Sequence, residues 1–208
     1  MHFKNRREAG MMLAEKLKDY RNEKAAIVLA IPRGGVEVGY EIAKSLKVKL
    51  DVIVTKKIGL PGNEEFAIGS VGPDKKVILD EATVKVYNVS EEQIHEMARE
   101  IGKEIERRYK AYKGKYELQN LKGKTIILTD DGIATGFTAK AAISYIKSKN
   151  PKKIILAVPV APSRFNEDIK KDVDKFVCLH SADRFFAIGQ FYDEFPQLSD
   201  EEVKGCLR

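Results

Sequence analysis

Apolar residues recur along the chain with spacings that predict alternating helices and strands. Residues 6–20 place Ala9, Leu13 and Leu17 four apart, which predicts an amphipathic helix. Residues 25–31 form a continuous apolar run, stopped by Pro32-Arg33-Gly34-Gly35. A short run that is apolar on both faces suits a strand buried in a parallel sheet. A helix follows over about 36–47, with Val38, Ile42 and Leu46 on one face, and then a short strand over 50–55.

The middle of the chain changes character. Gly59, Pro61, Gly62, Gly69, Gly72 and Pro73 punctuate residues 59–74 and predict a loop with room for a hairpin. A short strand is expected over 77–79. Ser90-Glu91-Glu92-Gln93 matches a capping box, and it opens a long helix running to about residue 113, with Ile94, Met97, Ile101 and Ile105 as its apolar stripe. That stripe reads as core or subunit interface. Regularity then returns: a strand over 125–129, a helix over about 138–149, a strand over 153–159, a short helix over 163–172 and a last strand over 176–179. Strands alternating with helices imply an α/β fold with a mainly parallel sheet.

Composition narrows the setting. The 208 residues fit one domain, and 43% apolar with 33% charged residues describes an ordinary globular chain. No apolar run approaches 18 residues and the N-terminus leads into no signal-peptide core, so a membrane role is not expected and the cytoplasm is. The two cysteines suggest neither a disulfide framework nor a metal site. The net charge of +6 is compatible with a phosphate-rich partner, but nucleic acid, nucleotide and sugar phosphate all qualify.

One loop carries the chemistry. The apolar strand Ile126-Ile127-Leu128 delivers two adjacent acids, Asp130 and Asp131, and five residues later the chain is entering a helix. Ligands of open α/β sheets bind past the carboxyl ends of the strands. Free N–H groups at the helix start, with its positive dipole end, make an anion cradle, and Thr135 and Thr138 add hydroxyls. Two carboxylates do not belong beside a bare phosphate. They suit a phosphate joined to a polyol, whose vicinal hydroxyls they accept from. That ligand is a ribose phosphate. A helix cap alone would need only one such residue.

The nine residues Asp130-Asp131-Gly132-Ile133-Ala134-Thr135-Gly136-Phe137-Thr138 resemble the phosphoribosyl-pyrophosphate signature of type I phosphoribosyltransferases. The resemblance implies that family's fold: a five-stranded parallel core sheet flanked by helices, with a small hood. Residues 59–115 would be a loop or hairpin plus long-helix insertion. Residues 181–208 would form the hood, with the N-terminal helix as a candidate addition. By resemblance Asp130 and Asp131 hold the ribose hydroxyls, Ala134, Thr135, Gly136, Phe137 and Thr138 cradle the 5-phosphate, and Arg33, Gly34 and Gly35 form the pyrophosphate turn, which in the family often contains a cis peptide. Lys57, of the pair Lys56-Lys57, would face pyrophosphate. In the aromatic segment from Arg184 to Asp193, Phe186 matches the residue that stacks on the base and Asp193 the one that contacts magnesium.

Two positions depart from the pattern. Gly132 stands where a larger apolar residue is usual, and Ala134 where hypoxanthine-type enzymes carry an acid. The chain is also similar throughout its length to a set of prokaryotic phosphoribosyltransferase-like proteins that carry no settled substrate. The implied reaction transfers a phosphoribosyl group from phosphoribosyl pyrophosphate to a nitrogenous base, purine-like first, with Mg²⁺ as cofactor. Mg²⁺ would reach Asp130 and Asp131 only through ribose hydroxyls. The implied assembly is a homo-oligomer, a dimer first. The alternative is a regulator that senses phosphoribosyl pyrophosphate while binding nucleic acid. No appended helix-turn-helix or arginine stripe supports it, so nucleic acid is not the expected partner.

Overall fold

A computed structural model describes residues 1–164 and 167–208. Along the chain lie α1 (Arg6–Lys16), β1 (Ala26–Ala30), α2 (Gly35–Leu46), β2 (Lys49–Val52), β3 (Lys56–Leu60), β4 (Asn63–Val71) and β5 (Val77–Leu79). Then come α3 (Glu81–Val86), α4 (Glu91–Lys113), β6 (Thr125–Thr129), α5 (Phe137–Ser148), β7 (Lys153–Pro162), α6 (Glu167–Lys171), β8 (Lys175–Ala182) and α7 (Asp200–Leu207). The short helix expected over 163–172 is seen as α6, and its positions 165 and 166 lie outside the described residues.

The expected parallel core sheet is present, with five strands in the order β2-β1-β6-β7-β8. Every residue of β1 and β6 is buried, because helices cover both faces of the sheet. On one face Val38, Ile42 and Leu46 of α2, with Leu13 and Leu17, pack on Val28, Ile127 and Ile155. On the other, Ile143 and Ile146 of α5 pack on Leu29, Leu128 and Leu156. The carboxyl ends of β1 and β6 therefore lie side by side, with Ala30 opposite Thr129, and the two candidate loops leave from adjacent strands.

Residues 59–74 form the hairpin for which the expectation left room. They belong largely to an antiparallel sheet, β3-β4-β5, whose hairpin turns at Pro61 and Gly62. Gly62 takes a left-handed φ of 82°, as a turn glycine does. Gly59 and Gly69 lie within the strands, Gly59 at an irregularity of the pairing: a Cβ on Gly69 would overlap the Ile78 carbonyl oxygen, and one on Gly59 would overlap that of Glu64. Glycine inside a strand marks such close backbone approach as readily as a break. α4 covers this sheet, with Ile94, Ile105 and Tyr109 against Ile58, Leu60, Ile68 and Val71. Its expected capping box is complete at Ser90 and Gln93.

Two helices lie outside the elements expected from the apolar pattern. α3 is short, with no buried residue to give it a period. α7 has a full capping box at Ser199 and Glu202, a signal visible in the sequence, and it buries Val203 in the cluster under α4. α1 crosses α2 so closely at Gly10 that a Cβ there would meet the Val38 carbonyl oxygen at 2.7 Å, and it completes the layer over the sheet. Ahead of it, Phe3 bridges to Tyr192 and joins the two ends of the chain. Among the described residues no helix is long and apolar enough to cross a membrane.

Candidate active site

β6 leads directly into the acid pair, and both carboxyls line the turn that follows β1. Asp130 keeps some exposed surface, yet protein surrounds its carboxyl, which accepts the Asp131 N–H at 2.8 Å. Lost hydration and the adjacent Asp131 charge push Asp130 well above the usual carboxylate range. Burial raises Asp131 as well, but the guanidinium of Arg6 opposes that rise. Of the two carboxyls, Asp130 is therefore the more strongly raised.

Arg6 is the main feature that the sequence reading missed. Its Nε donates to Asp131 Oδ2 at 2.8 Å, its Nη1 donates to the Pro196 carbonyl at 2.7 Å, and its guanidinium lies 3.8 Å from the centre of the Phe195 ring. The Tyr192 hydroxyl donates to the backbone carbonyl of Asp131 at 2.6 Å, and burial keeps that phenol protonated. In the sequence Arg6 is one of many charges on a helix. No local signal distinguishes it.

The turn after β1 lies against the acids. Its Pro32–Arg33 peptide is cis. A Cβ on Gly34 would overlap Asp131 Oδ2, and one on Gly35 would fall 2.8 Å from the Asp130 Cα. These glycines are needed for space, beyond any hydrogen bond they make to a ligand. The N–H groups of Arg33, Gly34 and Gly35 find no acceptor among the described residues, so they remain available to an anion. The Arg33 side chain extends near enough to α4 for its charge to act on the Tyr112 phenol.

α5 begins at Gly136, whose φ of 82° makes the turn into the helix, and no side chain caps it. Ala134 and Thr135 are exposed, Gly136 is buried, and Phe137 and Thr138 are half-buried around that uncapped start. The antiparallel sheet and the residue just ahead of it brace the same point: Ser70 Oγ donates to the Phe137 carbonyl at 2.8 Å and Thr55 Oγ1 to that of Thr138 at 3.2 Å. Lys57 lies directly opposite Ser70 in the β3–β4 register, and opposed residues share a sheet face. The register thus brings Lys57 to the side of the sheet that faces the α5 start.

Gly132 is explained by the segment above it. A Cβ there would lie 2.7 Å from Ile188 Cγ2 and 2.9 Å from Val160 Cγ1. The segment from Arg184 to Phe191 is thereby seated on the acid loop, and it presents Phe186 88% exposed. Gln190 holds this presentation: its Oε1 accepts the N–H groups of Phe186 and Ala187, and its Nε2 donates to the Arg184 carbonyl. Asp193 is not brought to the acids. Tyr192 is extended, so its neighbour's side chain turns the opposite way, and the Asp193 carboxylate pairs with His2 at 2.9 Å.

The chain matches the phosphoribosyl transferase domain family over residues 3–195. A Mycobacterium tuberculosis protein, named provisionally as a phosphoribosyl transferase in two strains, is 38% identical over 205 residues. That similarity takes in 99% of this chain and 46% of the relative, so the chain spans about half the length of the curated relatives it matches. Among solved structures, the protein TT1426 of Thermus thermophilus is 35% identical with a TM-score of 0.79, covering 100% of this chain and 98% of that one. A purine phosphoribosyltransferase of Pyrococcus horikoshii is 17% identical with a TM-score of 0.50 over 92% of this chain and 90% of that one, a likeness of fold.

Proposed function

The chain belongs to the phosphoribosyl transferase domain family, and on that premise we propose that it transfers a phosphoribosyl group from phosphoribosyl pyrophosphate to a purine-like base, releasing pyrophosphate. The observation that carries the reading is the convergence of an uncapped helix start, a turn with unpaired N–H groups and a buried acid pair at adjacent strand ends. Thr135 to Thr138 bind the 5-phosphate. Arg33, Gly34, Gly35 and Lys57 bind pyrophosphate. Departure of pyrophosphate builds positive charge on the ribose ring, so positioning and electrostatics dominate the chemistry. The acid pair orients the ribose hydroxyls and favours that charge. Phe186 offers its face to the base.

Mg²⁺ fits this site as a cation brought by the substrate. It keeps several waters and is held through one or two carboxylates together with substrate phosphates. The acid pair would meet it only through the ribose hydroxyls, and among the described residues no group of three or more acids, histidines or cysteines could hold a metal. When bound, Mg²⁺ supplies neutralisation of the pyrophosphate charge. On this reading the chain works in the cytoplasm as a homodimer that recovers nucleotides from free bases, and residues 181–208 form the hood beside the base.

A thermal-shift comparison tests the ligand class, because a ligand of the native state must stabilise it. Phosphoribosyl pyrophosphate with Mg²⁺ is expected to raise the melting temperature more than ATP does. Equal or greater stabilisation by ATP would overturn the assignment. A screen of free bases in the presence of phosphoribosyl pyrophosphate then names the acceptor.

A further inference from the structure

We propose that Arg6 is a positioning residue of this site: it fixes Asp131 and neutralises its charge, leaving Asp130 as the acid that meets the ribose hydroxyls. The inference rests on the ribose-phosphate reading above. The Arg6 and Asp131 side chains are only 5% and 12% exposed. Taking two charges out of water is costly, and a buried ion pair is weak evidence for stability. This one is built with more contacts than a simple neutralisation needs. The Arg6 Nε holds Asp131, its Nη1 holds the Pro196 carbonyl, and its flat face lies on Phe195. A lysine ammonium cannot make the two directed bonds and the stack together.

The pair joins the acid loop to the pyrophosphate turn and to the C-terminal segment. Asp131 follows Asp130 and accepts from Tyr192 through its carbonyl. The space that a Gly34 side chain would need is filled by Asp131 Oδ2, with Arg6 Nε 2.9 Å from the same point. The pyrophosphate turn therefore rests on the Arg6–Asp131 pair. An unpaired Asp131 would repel the anionic substrate through that turn, and a misplaced one would push the turn aside. Arg6 prevents both. Among the described residues no guanidinium is bonded to Asp130.

The experiment uses Arg6→Gln, Arg6→Lys, Asp131→Asn and the Arg6→Gln/Asp131→Asn double variant. It reads melting temperature, the affinity for phosphoribosyl pyrophosphate by calorimetry, and KM for each substrate. Arg6→Gln is expected to weaken phosphoribosyl pyrophosphate binding about tenfold or more, with the KM for the base unchanged. Arg6→Lys should recover part of that loss. In the Asp131→Asn background, Arg6→Gln should add no more than about a twofold effect, because residues acting through one another are not additive. A merely structural arginine would lower the melting temperature and the active fraction but leave both KM values alone, and that result would overturn the proposal. So would losses that multiply in the double variant. If Arg6→Gln fails to fold, the double variant, which leaves no buried charge unpaired, is compared with Asp131→Asn and decides. Absence of phosphoribosyl pyrophosphate binding by the unaltered protein would overturn the functional reading and this role with it, whereas normal binding by the unaltered protein and by Arg6→Gln alike would overturn this role alone.

Discussion

Arg6 Nε donates to Asp131 Oδ2 at 2.8 Å, across 125 positions of sequence. The first helix of the chain is thereby fastened to the acid loop at the end of its central strand. The pair separates the fates of two adjacent aspartates. Asp131 is held by a fixed cation, and Asp130 carries the consequence of burial beside another acid.

The two acids should therefore respond differently to amidation. Asp131→Asn leaves Arg6 buried without its counter-charge and is expected to cost about 3–5 kcal/mol of stability. Asp130→Asn removes a carboxylate that the fold disfavours and should leave stability unchanged or raised at neutral pH. Turnover of the double Asn variant should fall about a hundredfold, the usual cost of losing a well-placed electrostatic contact. Urea unfolding and steady-state rates on the same preparations check this. Near-normal turnover in the double variant would remove both acids from the mechanism.

The Asp130 shift also sets a pH dependence. Its pKa in the folded protein lies above its unfolded value, so the folded state holds the proton more tightly. Stability from this group is then fully present below the ordinary carboxylate value and is lost as pH rises through the raised folded value. Wild type should gain stability relative to Asp130→Asn as pH falls from neutral towards the ordinary carboxylate range. Melting curves of the two proteins across that window test it, and parallel curves would contradict the shift.

Gly132 and Ile188 form a size-matched pair. Gly132→Ala places a methyl 2.7 Å from Ile188 Cγ2 and is expected to cost about 1–3 kcal/mol, the usual penalty of overpacking. Ile188→Ala in the same chain should return part of that loss. Unfolding free energies of the four proteins in this cycle are the measurement, and strictly additive losses would show that the contact is not the cause.

Phe186 is 88% exposed, so Phe186→Ala should change stability by no more than about 0.5 kcal/mol. If the ring stacks on the base, affinity for the accepted base should fall by about 1–3 kcal/mol, the range seen when aromatic platforms for nucleobases are truncated. Competition binding of base, with phosphoribosyl pyrophosphate present, reads it. Unchanged affinity would move the base elsewhere.

The elements that the sequence reveals are those whose apolar period is complete within themselves. The strand over 125–129, the long helix ending at residue 113 and the strand at 77–79 agree with β6, α4 and β5 to the residue. The hairpin strands β3 and β4 were obscured, because Gly59 and Gly69 answer to partners on another strand and look like loop residues when read along the chain. α3 has no buried face and therefore no stripe to find. α7 could have been found from Ser199 and Glu202 alone.

By itself the sequence determined the parallel sheet, the acid pair at a strand end and the helix start beyond it, because each is written in consecutive residues with a local conformational preference. Tertiary structure decided which acid is neutralised, why Gly132 must be small and where Asp193 points. Those outcomes depend on Arg6, Ile188 and His2, which meet the site only after the sheet has ordered its strands and the two chain ends have closed on each other through Phe3 and Tyr192. A charge on a helix or a methyl in an apolar segment has no period that announces its partner. Only the packing of distant segments supplies one.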